Sequence, residues 1–183
     1  MSVISFAQGT LHSDRLITVA SFGKSMAIGL SVTSDNRVFV SFPGYNGDGK
    51  LALAEEKNGQ IYPYPDMAWN TREGDDSNHF LRVQDLYADA SDNLWVLDSR
   101  PAAQGGQFKL VKINTHTNKV EKVYSFEDLD KSRSALNDMR VDMKRNLAYL
   151  SDPGQAAIVV LNLASGKTRT LLQNTPFTLA DNI

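Results

Sequence analysis

The chain repeats itself at a spacing that leaves few folds open. Three stretches run from a polar turn into a hydrophobic strand: Asp35-Asn36-Arg37-Val38-Phe39-Val40, Asp92-Asn93-Leu94-Trp95-Val96-Leu97-Asp98 and Arg145-Asn146-Leu147-Ala148-Tyr149-Leu150-Ser151-Asp152. Their asparagines stand 57 and 53 residues apart. Such a period is too long for a helical solenoid repeat and suits four short strands, the content of one β-propeller blade.

Strand patterning fills in each copy. Apolar or alternating runs punctuated by turn residues fall at 28–32, 38–42, 50–54 and 60–64, then at 81–89, 94–98, 109–114 and 119–126, then at 136–141, 147–150, 157–163 and 168–172. The expectation is one all-β domain over 1–183: blade 1 at about 26–66, a long loop at 67–79, blade 2 at about 80–127, blade 3 at about 134–174 and the opening of a fourth at 178–183. Phe39, Trp95 and Tyr149 are expected to fill the space between blades. An alternating run at 16–22 reads as an extra strand able to clasp a final blade and hide its edge.

Three copies fall short of the roughly four to eight blades that close a ring. The chain therefore reads as part of a ring, its N-terminal half, completed by downstream blades or by a second copy. Without completion, both end blades would expose apolar faces.

A net charge of −2 gives no basic surface for a phosphate backbone, so nucleic acid is not an expected partner. No apolar stretch is long enough to span a membrane, and the N-terminus lacks the basic and apolar regions of a signal peptide. With no cysteine, the chain has neither disulfides nor thiolate metal ligands. Glycine-x-serine-x-glycine elbows, phosphate loops and dinucleotide fingerprints are missing, which removes the main support for serine-hydrolase, NTPase and nicotinamide chemistry.

Candidate site residues come from the ends of the repeats. Gln84-Asp85 and Asn137-Asp138 hold the same place, five and four residues ahead of Asp89 and Asp142. Short polar residues there either satisfy nearby backbone donors or point toward the ring axis. Asp35, Asp92 and Asn93 belong to turns, and Asp98 and Asp152 read as hydrogen-bonding staples at strand ends. Trp69 and His79 flank the long loop and are candidates for lining a cavity; His12, His79 and His116 are too scattered for a histidine metal site.

The stretch Tyr62-Pro63-Tyr64-Pro65-Asp66-Met67-Ala68-Trp69-Asn70, with Val83-Gln84-Asp85-Leu86, Leu94-Trp95-Val96-Leu97-Asp98-Ser99 and Leu136-Asn137-Asp138-Met139-Arg140-Val141-Asp142, resembles the yellow and major royal jelly protein family, in particular its microbial members. That resemblance implies a six-bladed propeller, a secreted or periplasmic location and a small molecule bound in the axial channel; some relatives bind small amines. The chain departs from insect members in having no cysteine, and the absence of a signal peptide leaves a cytoplasmic location open.

The same end residues resemble, more weakly, the calcium-dependent gluconolactonase and paraoxonase propellers. This second resemblance implies calcium bound by Asn137, Asp138 and Asp181, with Asp85 positioning substrate or water, and a lactonase as the alternative function. Calcium takes six to eight hard oxygens and would polarise a lactone carbonyl. Those enzymes place a glutamate at the opening strand of their first blade, where this chain has Ile28.

Overall fold

In the computed structural model, residues 17–43, 51–71 and 76–180 are described. They form three four-stranded antiparallel meanders, each a β-propeller blade. Blade 1 comprises β1 (Leu30–Val32), β2 (Val38–Ser41), β3 (Leu53–Lys57) and β4 (Gln60–Pro63). Blade 2 comprises β5 (Val83–Ala88), β6 (Asn93–Arg100), β7 (Gln107–Asn114) and β8 (Lys119–Tyr124). Blade 3 comprises β9 (Met139–Asp142), β10 (Leu147–Asp152), β11 (Ala157–Asn162) and β12 (Thr168–Leu171).

The blades converge on their first strands, with β1 packed against β5 and β5 against β9. Register makes the copies superimposable: Leu30 faces Val40, Leu86 faces Val96 and Met139 faces Leu150. Two apolar layers lie between sheets. Phe39, Leu53, Tyr64, Val83, Leu86, Val96 and Val111 fill the first, and Trp95, Leu97, Leu110, Met139, Leu150 and Val159 belong to the second.

Polar staples reinforce the layer between blades 1 and 2. Ser34 donates through its backbone N–H (2.7 Å) and its hydroxyl to the Asp92 carboxylate, and Ala88 N–H donates to Ser31 Oγ at 2.7 Å. Arg37 forks onto Glu55 at 2.7 and 3.0 Å and also donates to Thr115 O and Asn118 Oδ1 across the blade boundary. Burial alone would raise the Glu55 carboxyl, but bonds from Arg37 and Lys57 outweigh it and hold it below the usual range.

Several expectations need correction. Tyr149 is 38% exposed, whereas its equivalents Phe39 and Trp95 are 0% and 1% exposed, because no sheet follows blade 3 among the described residues. The described part of the expected clasp, 17–22, is irregular; Phe22 packs edge-on against Phe42 at 5.4 Å instead. The third strand of blade 1 begins three residues later than expected, since the Arg37 and Lys57 partners of Glu55 bring two glutamates into the ladder. The loop after β4 holds a 3-10 turn at Ala68–Asn70. Within it Asn70 is buried, accepting from Ala52 and Leu53 N–H and donating to Tyr64 and Asp66 O.

Candidate functional site: a tier of bulges at the convergent edge

All three blades open with the same irregularity. Ile28 N–H donates to Ser41 O while Ser41 N–H donates to Gly29 O, so two residues face one. Asn137 and Asp138 face Ser151 through the same pair of bonds, and in blade 2 the register slips between Val83 and Asp85 opposite Asp98 and Leu97. In a regular strand consecutive side chains point to opposite faces, so one of each polar pair would enter an apolar layer. A β-bulge re-aims them so that both find hydrogen-bond partners at the convergent edge.

The tier is wired across the blade boundary. Arg82 Nη1 donates to Gln84 Oε1 at 2.7 Å, Gln84 Nε2 to Asn137 Oδ1 at 2.8 Å, and Asn137 Nδ2 to Asp138 Oδ2 at 3.2 Å. This chain of bonds runs from a guanidinium to an exposed carboxylate, an order in which each bond polarises the next. Asp138 N–H donates to Ser151 Oγ at 3.0 Å, which fixes the backbone beneath it.

Asp85 joins the blades by another route. One carboxylate oxygen accepts from Leu86 N–H and the other from Met139 N–H, both at 2.8 Å, and Arg140 Nη1 lies 3.7 Å away. Burial pushes its carboxyl above the ordinary aspartate value. The Met139 and Leu86 N–H groups and Arg140 pull the other way, while the neighbouring Asp138 charge adds to the rise.

Blade 1 contributes no polar pair. Its bulge holds Ile28 and Gly29, and a Cβ on Gly29 would lie 2.6 Å from Ser41 Oγ, 3.1 Å from Leu86 N and 3.2 Å from Asp85 Cα. Close approach of β5 thus requires glycine where blades 2 and 3 carry aspartate.

His79 belongs to a second cluster at the same ends of β5, β6 and β7. It is buried, its Nε2 is 3.5 Å from Asp76 Oδ1, and its Nδ1 has no hydrogen-bond partner. Lys109 Nζ lies 2.7 Å from both Asp98 Oδ2 and Asp76 O. Asp98 also accepts from the N–H groups of Leu81 and Arg82, which ties this cluster to the tier. A cavity of about 170 Å³ beside it is bounded in part by Asp76, Leu81, Gln107 and Lys109. Trp69 is not brought to the tier: it packs on Phe80 at 5.0 Å against the layer between blades 1 and 2. Asp181 lies outside the described residues.

Arg82 and Lys109 escaped the sequence reading. Lys109 is legible only once the hairpin register sets it opposite Asp98, and Arg82 only once the bulge turns Gln84 toward it.

The donor set suits hydrogen bonding better than calcium. Among the described residues no three of His, Cys, Asp and Glu gather to hold a metal. Both amide oxygens, Gln84 Oε1 and Asn137 Oδ1, already accept bonds, and Arg140 adds positive charge beside Asp85.

Solved structures share this architecture. A streptogramin B lyase matches with a TM-score of 0.52 at 14% identity, over 83% of this chain and 42% of its own. A catalytically inactive virginiamycin B lyase from Staphylococcus aureus with quinupristin matches with a TM-score of 0.53 at 17% identity, over 85% of this chain and 44% of its own. U3-55K matches with a TM-score of 0.52 at 12% identity, over 84% of this chain and 41% of its own. At such identities the likeness establishes the fold alone, and the chain spans less than half the length of each. No curated protein sequence matches the chain. The major royal jelly protein family model does, over residues 81–179, which takes in blades 2 and 3 with both polar bulges. The chain belongs to the major royal jelly protein family.

Proposed function

We propose that the chain forms part of a six-bladed ring and binds a small polar molecule rich in N–H or O–H donors at the axial mouth of that ring. The observation that carries this reading is the repeated bulge, which sets Gln84-Asp85 and Asn137-Asp138 side by side on the strands where the blades converge. Asp138 is the exposed end of the bond chain that starts at Arg82, so its carboxylate is the natural partner for an ammonium or hydroxyl group. Asp85, already committed to Met139 and Leu86, shapes the wall and contributes negative charge when ionised.

Calorimetric titration of the full chain with tyramine and with myo-inositol, as donor-rich probes, tests the reading. Saturable binding by either, lost in Asp138→Asn and weakened in Asn137→Ala, supports it. Binding unaffected by both substitutions, or no binding of either probe, overturns it. The same titration with calcium separates the alternative: saturable calcium binding lost in Asn137→Ala, with lactone hydrolysis, would favour the lactonase.

A further inference from the structure

We infer that blade 2 carries a second ligand site, apart from the bulge tier, in the cavity of about 170 Å³ beside Lys109, and that this site takes a short carboxylic acid bearing a hydroxyl group. The inference stands independently of the ligand proposed for the tier.

Comparison of the copies picks out the residues. Asp98 faces Lys109 across β6 and β7, and Arg100 faces Gln107. The positions equivalent to Lys109 carry alanine in the other blades: Asp152 faces Ala157, and Phe42 N–H donates to Ala52 O. A lysine only 5% exposed is therefore not something the blade fold demands. Asp152 keeps its place with bonds from Ala135 N–H and the Gln155 amide instead. Stability does not account for the lysine either, since apolar residues of similar volume often match or better a buried ion pair.

Unspent hydrogen-bonding capacity gathers at the same strand ends. Among the described residues four buried side-chain polar atoms have no hydrogen-bond partner, and three belong here: His79 Nδ1, Arg100 Nε and Gln107 Oε1. Such atoms are rare in folded proteins, and a group of them calls for a partner. Asp76 ties two of these side chains together, with His79 Nε2 and Arg100 Nη2 each 3.5 Å from its carboxylate oxygens.

The spare groups define the ligand. Lys109 directs two of its three N–H groups to Asp98 Oδ2 and Asp76 O, which leaves one. Lys131 borders the cavity, and its ammonium has no partner among the described residues. With Arg100 Nε–H, every spare donor belongs to a cation, whereas the spare acceptor is the neutral Gln107 Oε1. A carboxylate answers the cations through charge-assisted bonds, and a hydroxyl answers the amide oxygen. Val123 lies on the same face as Lys109 by register, and with Leu81 it gives the carbon skeleton an apolar wall. The volume is well below the roughly 300 Å³ at which pockets for drug-sized ligands begin, so the acid has only a few carbons.

Calorimetric titration of the full chain with L-lactate and 3-hydroxybutyrate, and with propionate and butyrate, which lack the hydroxyl, tests this. The expected result is saturable binding of at least one hydroxy acid, about fivefold or more tighter than its counterpart without the hydroxyl. Lys131→Gln and Gln107→Leu, both at half-buried positions, should each weaken that binding by about fivefold or more. In the wild type, a ¹⁵N spectrum should show the Gln107 side-chain amide shifting with the same saturation, a readout that depends on no variant. No saturable binding of either hydroxy acid, equal affinity without the hydroxyl, an unmoved Gln107 amide, or indifference to either substitution would each overturn the proposal. Binding abolished by Asp138→Asn would place the acid at the tier and overturn it as well.

Discussion

Gln84 Nε2 donates to Asn137 Oδ1 at 2.8 Å, joining the same position of two successive repeats whose residues lie 53 apart in sequence. The bond exists because both blades open with a bulge, which re-aims the first polar side chain of each pair so that Gln84 and Asn137 meet across the blade boundary. In blades 2 and 3 the packing irregularity thereby becomes a continuous polar surface.

Removing one partner measures that wiring. Gln84→Ala should lower the unfolding free energy by about 1 kcal/mol, the usual net worth of a neutral hydrogen bond. In a double-mutant cycle with Asn137→Ala read by urea denaturation, the two losses should couple by at least about 0.5 kcal/mol. Strict additivity would mean that the bond does not form in solution.

The equivalent aspartates Asp98 and Asp152 differ in their partners. Asp98 is fully buried against the Lys109 ammonium, whereas Asp152 accepts from Ala135 N–H and the Gln155 amide. Lys109→Ala should cost about 3–5 kcal/mol because it strands a buried carboxylate. Gln155→Ala should cost only about 1–3 kcal/mol, because it removes one amide bond to the Asp152 carboxylate while Ala135 N–H still holds that carboxylate. Thermal unfolding of both variants checks the order.

Gly29 sits where β5 comes closest to blade 1. Gly29→Ala should destabilise by about 1–3 kcal/mol through overpacking against Ser41 and Leu86. Gly59→Ala, with open space around it but a φ of 82°, should lose about 1 kcal/mol from backbone strain alone. Denaturation midpoints of the two variants separate steric approach from conformation.

Asp85 makes stability depend on pH. Its raised carboxyl favours the protonated form in the folded state, so its contribution to stability is full below the unfolded aspartate value of about 3.9 and is lost as pH rises through the folded value. Asp85→Asn cannot titrate. The variant's stability relative to wild type should therefore improve from acid toward neutral pH, and a series of urea midpoints over that range reads the slope.

The blades were legible because alternation and turn residues speak for a pleated strand wherever a partner strand exists. The run at 16–22 alternates just as well, yet its described part forms no strand, since β propensity has effect only against a neighbour. Tyr149 matches Phe39 and Trp95 in type and position, but its burial depends on what stands opposite. In the candidate site, the offsets from Asp89 and Asp142 picked out Gln84-Asp85 and Asn137-Asp138. Arg82 and Lys109 stayed hidden because they are joined to the site only by three-dimensional register. The aromatic character that makes Trp69 a candidate for lining a cavity also draws it onto Phe80.

The most direct test of the tier as a binding surface is a ¹⁵N correlation spectrum of the full chain titrated with tyramine and with myo-inositol. The account predicts saturable shifts concentrated in the side-chain amides of Gln84 and Asn137 and in the backbone N–H groups of residues 84–86 and 137–139. Saturable shifts elsewhere with those signals unmoved, or no saturable shift with either probe, would contradict it.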